Sequence, residues 1–239
     1  MDLESSARLV IDTLKEALSG FELSECALSF SGGLDSSLLM RICENEPVAY
    51  TVGFPGSKDF ENSEKVSSLM GFNPWKILLS DDIAKQYTME LVSGYPDITI
   101  GELGYELVLY TILKNVNEEY VIVGQGADEL FYGYKRLINS DFQDNSTHLR
   151  NFTEKTLPRE YRMASNLGKE LVAPFADLRI INIARSIDRS LHTDGIKGKL
   201  VLRRAARILG LADDICSIEK KAAQYGSGTE KWLRKNFMD

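Results

Sequence analysis

The stretch that decides the fold of this chain is CALSFSGGLDSS, residues 26–37. Its first five residues are almost all apolar and predict a short buried strand that ends at Ser31-Gly32-Gly33. Residues 36–43 then carry apolar side chains at helical spacing. A buried strand that turns through glycines into a helix is typical of the first unit of a parallel α/β sheet.

The rest of the first half of the chain repeats this alternation of strand and helix. Strand-like runs occur at residues 48–52, 75–79 and 120–123, and helical spacing occurs at residues 5–19, 61–70, 82–92 and 102–113. Strands that alternate with helices at this spacing predict a doubly wound parallel α/β sheet. We assign residues 1–136 to this α/β core.

The chain changes character after about residue 136, where the strand signals stop. Residues 139–158 are polar and predict a loop, whereas residues 159–167, 177–190, 198–210 and 229–237 predict helices. We therefore expect residues 137–239 to form a helical C-terminal part. These helices could form a separate small domain or pack on the sheet, and we expect them to pack on the core as one domain.

Composition and charge exclude several classes of protein. The net charge of −7 over 239 residues argues against a general nucleic-acid binder, although residues 195–239 carry ten Lys/Arg and five Asp/Glu. No apolar run approaches the length of a membrane span, and the acidic N-terminus does not fit a signal peptide. Cys26, Cys43 and Cys216 are widely spaced, which argues against a disulfide framework or a zinc site and predicts a cytoplasmic protein.

The first glycine turn has the properties of a phosphate cradle. Ligands of open α/β sheets bind at the carboxyl ends of the strands, where this turn lies. The helix that follows offers free N–H groups, to which three serine hydroxyls could add. No Walker A pattern is present, and an ordinary strand-to-helix turn with a serine cap is the alternative. The predicted nucleotide-binding residues are Ser31, Gly32, Gly33, Leu34, Asp35, Ser36 and Ser37.

Two motifs carry a resemblance to a known family. The string SGGLDSS, residues 31–37, resembles the PP-loop of the ATP pyrophosphatases. The string GQGADELFYGY, residues 124–134, follows the fourth predicted strand and is similar to the asparagine synthetase pattern GEGxDExFxGY. The chain thus resembles the synthetase domain of asparagine synthetase, which implies a PP-loop fold and the use of ATP.

The two turns are expected to face one crevice, because both follow parallel strands. Asp35 and Asp128 can then approach each other, and two carboxylates suit Mg²⁺ held against the phosphates of ATP. The resemblance implies that these two aspartates bind the metal and that Gly124 and Gly126 lie beside the nucleotide. A helix-capping role for Asp128 is the alternative, and both roles can hold together.

Three weaker matches follow downstream. Residues 168–177, GKELVAPFAD, are similar to a family segment GxExRxPFxD, and Gly198-Lys199 with Leu202-Arg203 loosely matches GKxxLR. Residues 219–228, EKKAAQYGSG, resemble the loop that closes over pyrophosphate. The resemblance places the catalytic lysine at Lys220, with Lys221 as the alternative. An ammonium there would stabilise the charge that develops as the α–β phosphate link breaks, but adjacent lysines are also common as surface charge.

The chain departs from the family pattern at three places. Residue 2 is Asp2 rather than a nucleophilic cysteine, so we expect no glutaminase half. Gln125 replaces a glutamate, and an amide cannot act as a base at this catalytic position. Residues 100–106, IGELGYE, lack the family's arginine. Glu102 and Glu106 could lie at a solvated helix N-terminus or could face an amino-bearing substrate, and the sequence leaves both interpretations open.

The leading functional hypothesis is an amide ligase. ATP would bind with its adenine near Val52, Gly53 and Phe54, although a plain strand end explains that segment almost as well. A substrate carboxylate would form an acyl-adenylate, which ammonia or another amine attacks. Free ammonia or a separate glutaminase subunit would supply nitrogen, and a homo-oligomer is compatible with the sequence. The alternatives are adenylation of a carbonyl on another small molecule or tRNA, and a non-catalytic nucleotide-binding module.

Overall fold

Five parallel strands form the central sheet in the computed structural model, which describes residues 1–139, 146–218 and 223–237. The strand order is β3-β2-β1-β4-β5, with β1 in the centre. This arrangement confirms the predicted doubly wound parallel α/β fold. The strands are β1 (Cys26–Ser29), β2 (Val48–Gly53), β3 (Trp75–Leu78), β4 (Tyr120–Ile122) and β5 (Glu170–Val172).

The helices of the first half alternate with the strands, as the apolar pattern predicts. The first of them is capped by Asp2, whose carboxylate accepts a hydrogen bond of 2.7 Å from the Ser5 N–H group. A short 3-10 turn (Leu23–Glu25) precedes β1. The α-helices are α1 (Leu3–Leu18), α2 (Leu34–Ile42), α3 (Lys58–Met70), α4 (Asp81–Gly94) and α5 (Ile100–Asn115).

The second half is mainly helical, which confirms the expected C-terminal part. A π-helical turn (Phe152–Thr156) and a 3-10 turn (Pro174–Ala176) interrupt it. The α-helices are α6 (Ala127–Leu130), α7 (Lys135–Asn139), α8 (Ser146–Asn151), α9 (Leu157–Asn166), α10 (Leu178–Ser186), α11 (Arg189–His192), α12 (Leu200–Ile208), α13 (Asp213–Cys216), α14 (Ala223–Gly226) and α15 (Thr229–Phe237).

Two expectations for this half are wrong. The predicted loop at 139–158 is helical over residues 146–158, because Leu149, Phe152 and Leu157 are buried in the core; residues 140–145 lie outside the described residues. Strand β5, for which no signal was found, pairs with β4 in the register Val121↔Leu171. It is three residues long and only its last two side chains are buried, which is too short for a recognisable pattern.

The C-terminal helices pack on the α/β core. Helix α12 contacts α1 and α2, while α14 and α15 contact α5. Two groups of helices therefore flank the sheet, and β5 ties the second half to it. The division at residue 136 remains a prediction. In the described part of the chain, none of the helices combines the length and the apolar character that a membrane crossing requires.

The turn after β1 depends on a glycine at residue 32. Gly32 has φ +70°, and a Cβ atom there would lie 2.6 Å from the Asn62 carbonyl carbon in α3. We predict that Gly32→Ala lowers the free energy of unfolding by about 3 kcal/mol, from left-handed strain plus overlap with α3. Gly71→Ala is the matched control, because Gly71 has φ +83° with open space around it and should lose only about 1 kcal/mol. Equal losses in urea unfolding would contradict the overlap with α3.

Candidate active site

A cavity of about 960 Å³ lies at the carboxyl ends of the central strands. Both glycine turns reach it because β1 and β4 are parallel neighbours that end at the same edge of the sheet. The predicted residues that line it are Ser31, Gly33, Leu34, Asp35 and Ser36 from the first turn, and Gly124, Gln125, Gly126 and Asp128 from the second. The structure thus brings the two motifs together.

Asp35 and Asp128 meet at the ammonium group of Lys199. The Lys199 Nζ lies 2.6 Å from an Asp35 oxygen and 2.7 Å from an Asp128 oxygen. All three side chains are buried, Lys199 with 2% exposure. Gly133 makes room for this cluster, since a Cβ atom there would overlap the Asp128 carboxylate. The sequence placed Lys199 in a weak motif but gave it no role.

Backbone contacts hold Lys199 in position. The residue adopts a left-handed conformation, φ +59°, and its N–H donates a 2.9 Å hydrogen bond to the Phe131 carbonyl, just after α6. The buried Arg203 donates from Nε to the Gly198 carbonyl at 3.0 Å and from Nη1 to the Cys216 carbonyl at 2.6 Å. Arg203 therefore ties the turn before α12 to the segment that leads to residue 219. Lys220 and Lys221, the predicted catalytic lysines, lie outside the described residues.

The hydroxyl groups of the first turn are used within the turn. Ser37 is fully buried and donates to the Gly33 carbonyl at 2.7 Å, and Ser36 donates to the same oxygen at 3.2 Å. The Ser31 hydroxyl accepts from the Gly33 N–H at 3.3 Å. Ser37 and Gly32 do not line the cavity, although Ser31 and Ser36 do. Ser37 thus fixes the start of α2 rather than facing the cavity.

Only the first residue of the predicted adenine segment, residues 52–54, lines the cavity. Val52 lines the cavity together with Tyr50 and Thr51, whereas Gly53 and Phe54 do not. The Phe54 ring is stacked on Trp232 with ring centroids 5.9 Å apart, and its N–H donates to the Ser227 carbonyl at 3.0 Å. Phe54 therefore packs against the C-terminal helix.

Glu102 and Glu106 hold a buried arginine. The Arg159 guanidinium donates to Glu106 Oε1 from Nε at 2.9 Å and from Nη2 at 2.6 Å, and to Glu102 Oε1 at 3.0 Å. Glu102 also accepts from the Thr99 N–H at 2.9 Å and so caps α5. The helix-terminus interpretation fits Glu102 but is wrong for Glu106, which is fully buried. The shared partner of both side chains is therefore an internal cation, Arg159.

Burial raises the pKa values of two glutamates in this cluster. Loss of solvent raises the pKa of Glu106 to about 7, and the adjacent Arg159 opposes the rise. Burial also raises the pKa of Glu160 well above its usual value, with the negative charge of Glu106 as a second cause. Glu160 lies in α9, is fully buried and lines the cavity. A single glutamate inside a predicted helix gave no sequence signal of this placement.

Gln125 faces Glu160 in the cavity wall. The Gln125 amide approaches closely enough to oppose the rise in the pKa of Glu160. The two side chains nevertheless do not meet hydrogen-bonding geometry, since neither Glu160 oxygen has a partner among the described residues. The residue that departs from the asparagine synthetase pattern therefore lies beside a buried carboxyl group.

Comparison with known proteins agrees with the resemblance that the two motifs carry. The family model described as Asparagine synthase matches residues 10–148 and 139–239. The chain belongs to the asparagine synthase family. Within this family, the cavity described above is the candidate active site.

The relatives found are distant and longer than this chain. A putative asparagine synthetase (glutamine-hydrolyzing) of Methanocaldococcus jannaschii is 28% identical over 258 residues, which covers 89% of this chain and 48% of that protein. An asparagine synthetase domain-containing protein of Drosophila melanogaster is 25% identical, with 85% and 44% covered. The chain spans about half the length of these relatives. The NMN synthetase structure from Francisella tularensis has a TM-score of 0.47 and 10% identity, with 94% of this chain and 78% of that chain covered.

Asp35 and Asp128 are the candidate metal ligands of this asparagine synthase family member. Among the described residues there is no cluster of three or more His, Cys, Asp or Glu that could hold a metal by itself. Two carboxylates nevertheless fit Mg²⁺, which proteins commonly bind through one or two carboxylates together with substrate phosphates. The donor set therefore suits a metal that arrives with a nucleotide.

The Lys199 ion pairs predict a large effect of removing the ammonium. We expect Lys199→Met to lower the free energy of unfolding by about 3–5 kcal/mol, because two buried carboxylates lose their cation. The control is Lys197→Met, two residues away on the exposed surface, which should change stability by less than about 0.5 kcal/mol. Denaturant unfolding measures both variants. Similar stability of the two would show that the buried pairs do not form.

The raised pKa of Glu106 predicts a pH-dependent stability. The carboxyl binds its proton more tightly in the folded state, with a pKa of about 7 against 4.5 for the ordinary value. Its contribution is therefore full below pH 4.5 and is lost as the pH rises through 7. We expect up to about 3 kcal/mol of unfolding free energy to be lost from this group between these limits.

Replacement of the titrating group tests this linkage. Glu106→Gln should reduce the fall in unfolding free energy between acid and neutral pH. Part of this fall should remain, because the pKa of Glu160 is also raised. The exposed Glu61→Gln in α3 is the control and should leave the fall unchanged. A Glu106→Gln protein with the pH profile of the wild type would contradict the assignment.

Proposed function

We propose that this chain is the ATP-using part of an amide ligase that forms AMP and pyrophosphate. The observation that carries the proposal is the meeting of Asp35, Asp128 and Lys199 at a cavity lined by both glycine turns. Two carboxylates and an ammonium that meet beside the start of α2 suit a polyphosphate bound with a divalent cation. The proposed substrates are ATP, a carboxylate, and ammonia or another amine, with ammonia free or delivered from a glutaminase.

The first proposed step joins the carboxylate to AMP. A carboxylate oxygen attacks the α-phosphorus of ATP, the bond to the bridging oxygen breaks, and pyrophosphate leaves. The N–H groups at the start of α2 bind phosphate oxygens, and the Lys199 ammonium stabilises the charge that develops on the leaving group. Lys220 and Lys221, which lie outside the described residues, remain candidates for the same task.

Mg²⁺ would be held by Asp35 and Asp128. When bound, it would neutralise charge on the triphosphate and make pyrophosphate a better leaving group. Lys199 would then have to share its two carboxylate partners, and its long side chain allows a shift toward the phosphates. The remaining phosphate contacts would come from Ser31, Gly33 and Ser36 at the cavity wall.

The second proposed step forms the amide. The amine nitrogen attacks the acyl carbon, AMP leaves, and the nitrogen loses a proton. Gln125 lines the cavity but is a neutral amide, so it can orient a substrate and cannot take this proton. We infer that the carboxylate substrate binds at the end of the cavity that Gln125 and Glu160 line.

The test is formation of AMP and pyrophosphate from Mg-ATP and ammonia with a panel of carboxylates. We predict that Asp35→Asn lowers kcat/KM at least about 100-fold. The change removes the carboxylate charge that pairs with Lys199 and would bind the metal, so the transition state is stabilised less. Asp12→Asn, on the exposed face of α1, is the matched control and should keep full activity. Tight ATP binding without release of pyrophosphate in the presence of any of the carboxylates would instead identify a non-catalytic nucleotide-binding module.

A further inference from the structure

The ammonium group of Lys199 lies where a divalent cation would have to bind in order to contact both Asp35 and Asp128. Its Nζ atom is 2.6 Å from an oxygen of Asp35 and 2.7 Å from an oxygen of Asp128. Because Mg²⁺ binds oxygen at about 2.1 Å, an ion that bound both of these oxygens would need the same space as the ammonium group. The ammonium group and the metal therefore compete for one place in the cavity.

The side chain of Lys199 is tightly enclosed at this place. It is buried, and a Cβ atom at Gly133 would lie 2.5 Å from its Cε atom and would also overlap the Asp128 carboxylate. Glycine at residue 133 thus lets the aliphatic stem of Lys199 pack beside that carboxylate. A metal ion cannot be added next to the ammonium group without moving it, because two cations repel each other strongly at short range in a buried site.

The backbone of Lys199 is fixed, so that only the side chain is free to move. Its N–H donates to the Phe131 carbonyl at 2.9 Å, and a Cβ atom at Gly198 would overlap the Tyr132 carbonyl oxygen. The four-carbon stem of a lysine, by contrast, is flexible. The ammonium group can therefore leave the two carboxylates by rotation of the side chain, provided that another anion in the cavity accepts it.

A second buried cation makes the place still less favourable for a metal ion on its own. Arg203 lines the cavity, and its charge interacts with that of Asp35. Its guanidinium donates hydrogen bonds to three backbone carbonyls, those of Gly198, Cys216 and Ile218. The positive charge of Arg203 therefore disfavours a divalent cation that arrives without anions of its own, such as phosphates.

We propose that Lys199 is an internal substitute for the metal and makes metal binding depend on the nucleotide. The inference rests on the proposed function, in which Asp35 and Asp128 bind Mg²⁺. Without nucleotide, the ammonium group holds the two carboxylates and excludes free divalent ions. The phosphates of a bound nucleotide accept the ammonium group as a new partner, and the metal that accompanies them binds between the carboxylates. By linkage, nucleotide and metal each strengthen the binding of the other.

The test measures the binding of Mn²⁺ alone to the full chain, by electron paramagnetic resonance of the free ion. Mn²⁺ suits the same carboxylate ligands as Mg²⁺. We expect the wild type to bind it no more tightly than Asp35→Asn does. Lys199→Met should bind it at least about tenfold more tightly than the wild type, because two carboxylates are left without their cation. The double variant Lys199→Met/Asp128→Asn should lose this gain. A wild type that binds Mn²⁺ as tightly as Lys199→Met would overturn the inference.

Thermal unfolding gives a second measurement that does not depend on activity. Mn²⁺ should raise the Tm of Lys199→Met at a concentration that leaves the Tm of the wild type unchanged, because the bound ion replaces the missing cation. The exposed Lys197→Met is the matched control and should behave as the wild type. Lys199→Gln, whose amide still donates to one carboxylate, repeats both measurements if the Met variant does not fold. The inference is wrong if Mn²⁺ stabilises neither variant of Lys199.

Addition of nucleotide tests the exchange of partners. An ATP analogue with a methylene group between the α- and β-phosphates should raise the affinity of the wild type for Mn²⁺ by a larger factor than that of Lys199→Met. The variant has no ammonium group to displace, so it gains only the phosphate ligands. Equal factors for the two proteins would show that Lys199 does not control the entry of the metal.

The same proteins distinguish this inference from the proposed function. Pyrophosphate release is measured with Mg-ATP, ammonia and the panel of carboxylates. Exclusion of Mn²⁺ that depends on Lys199, without any pyrophosphate release, would refute the ligase reaction and leave this inference intact. Pyrophosphate release by a wild type that binds Mn²⁺ alone as tightly as Lys199→Met would support the ligase reaction and refute the role of Lys199 as a substitute for the metal.

Discussion

The ion pairs of Lys199 with Asp35 and Asp128 are the constraint on which the site depends. Two carboxylates at neighbouring strand ends repel each other in a buried space unless a cation lies between them. The chain supplies this cation from a residue 164 positions beyond Asp35. The pairs therefore fix the ends of β1 and β4 relative to each other and hold the turn before α12 against both. Removal of Lys199 leaves two buried carboxylates without their cation, whereas removal of either aspartate leaves the ammonium with one carboxylate partner.

The fold was predictable where signals are local. Strands β1 to β4 are apolar runs bounded by glycine or polar residues, and each was located to within one or two residues of its observed ends. Strand β5 was not predictable because its three residues gain their conformation from pairing with β4 rather than from a pattern of their own. The helices in 146–158 were hidden by polar composition, although Leu149, Phe152 and Leu157 point into the core. Tertiary burial overrode local composition there.

The candidate site was predictable only in part, for the same physical reason. The glycine turns are contiguous strings, so their residues could be named and their convergence inferred from the parallel strands. Lys199 and Glu160 could not be identified, because their roles depend on burial and on partners far along the chain. Glu102 and Glu106 show the converse. Their sequence position suggested contact with solvent or with a substrate, but the buried Arg159 of α9 donates hydrogen bonds to both carboxylates.

The burial of Glu160 gives a physical reason for a neutral side chain at residue 125. A glutamate at residue 125, as in the family pattern, would place a further carboxyl group beside Glu160, which already lies near Glu106 and is already forced toward its neutral form. A third neighbouring carboxyl would raise the cost of ionising Glu160 further. The neutral amide instead opposes the rise in the pKa of Glu160. The departure from the family pattern therefore avoids a further carboxyl group in a part of the cavity wall where Glu160 and Glu106 are already buried.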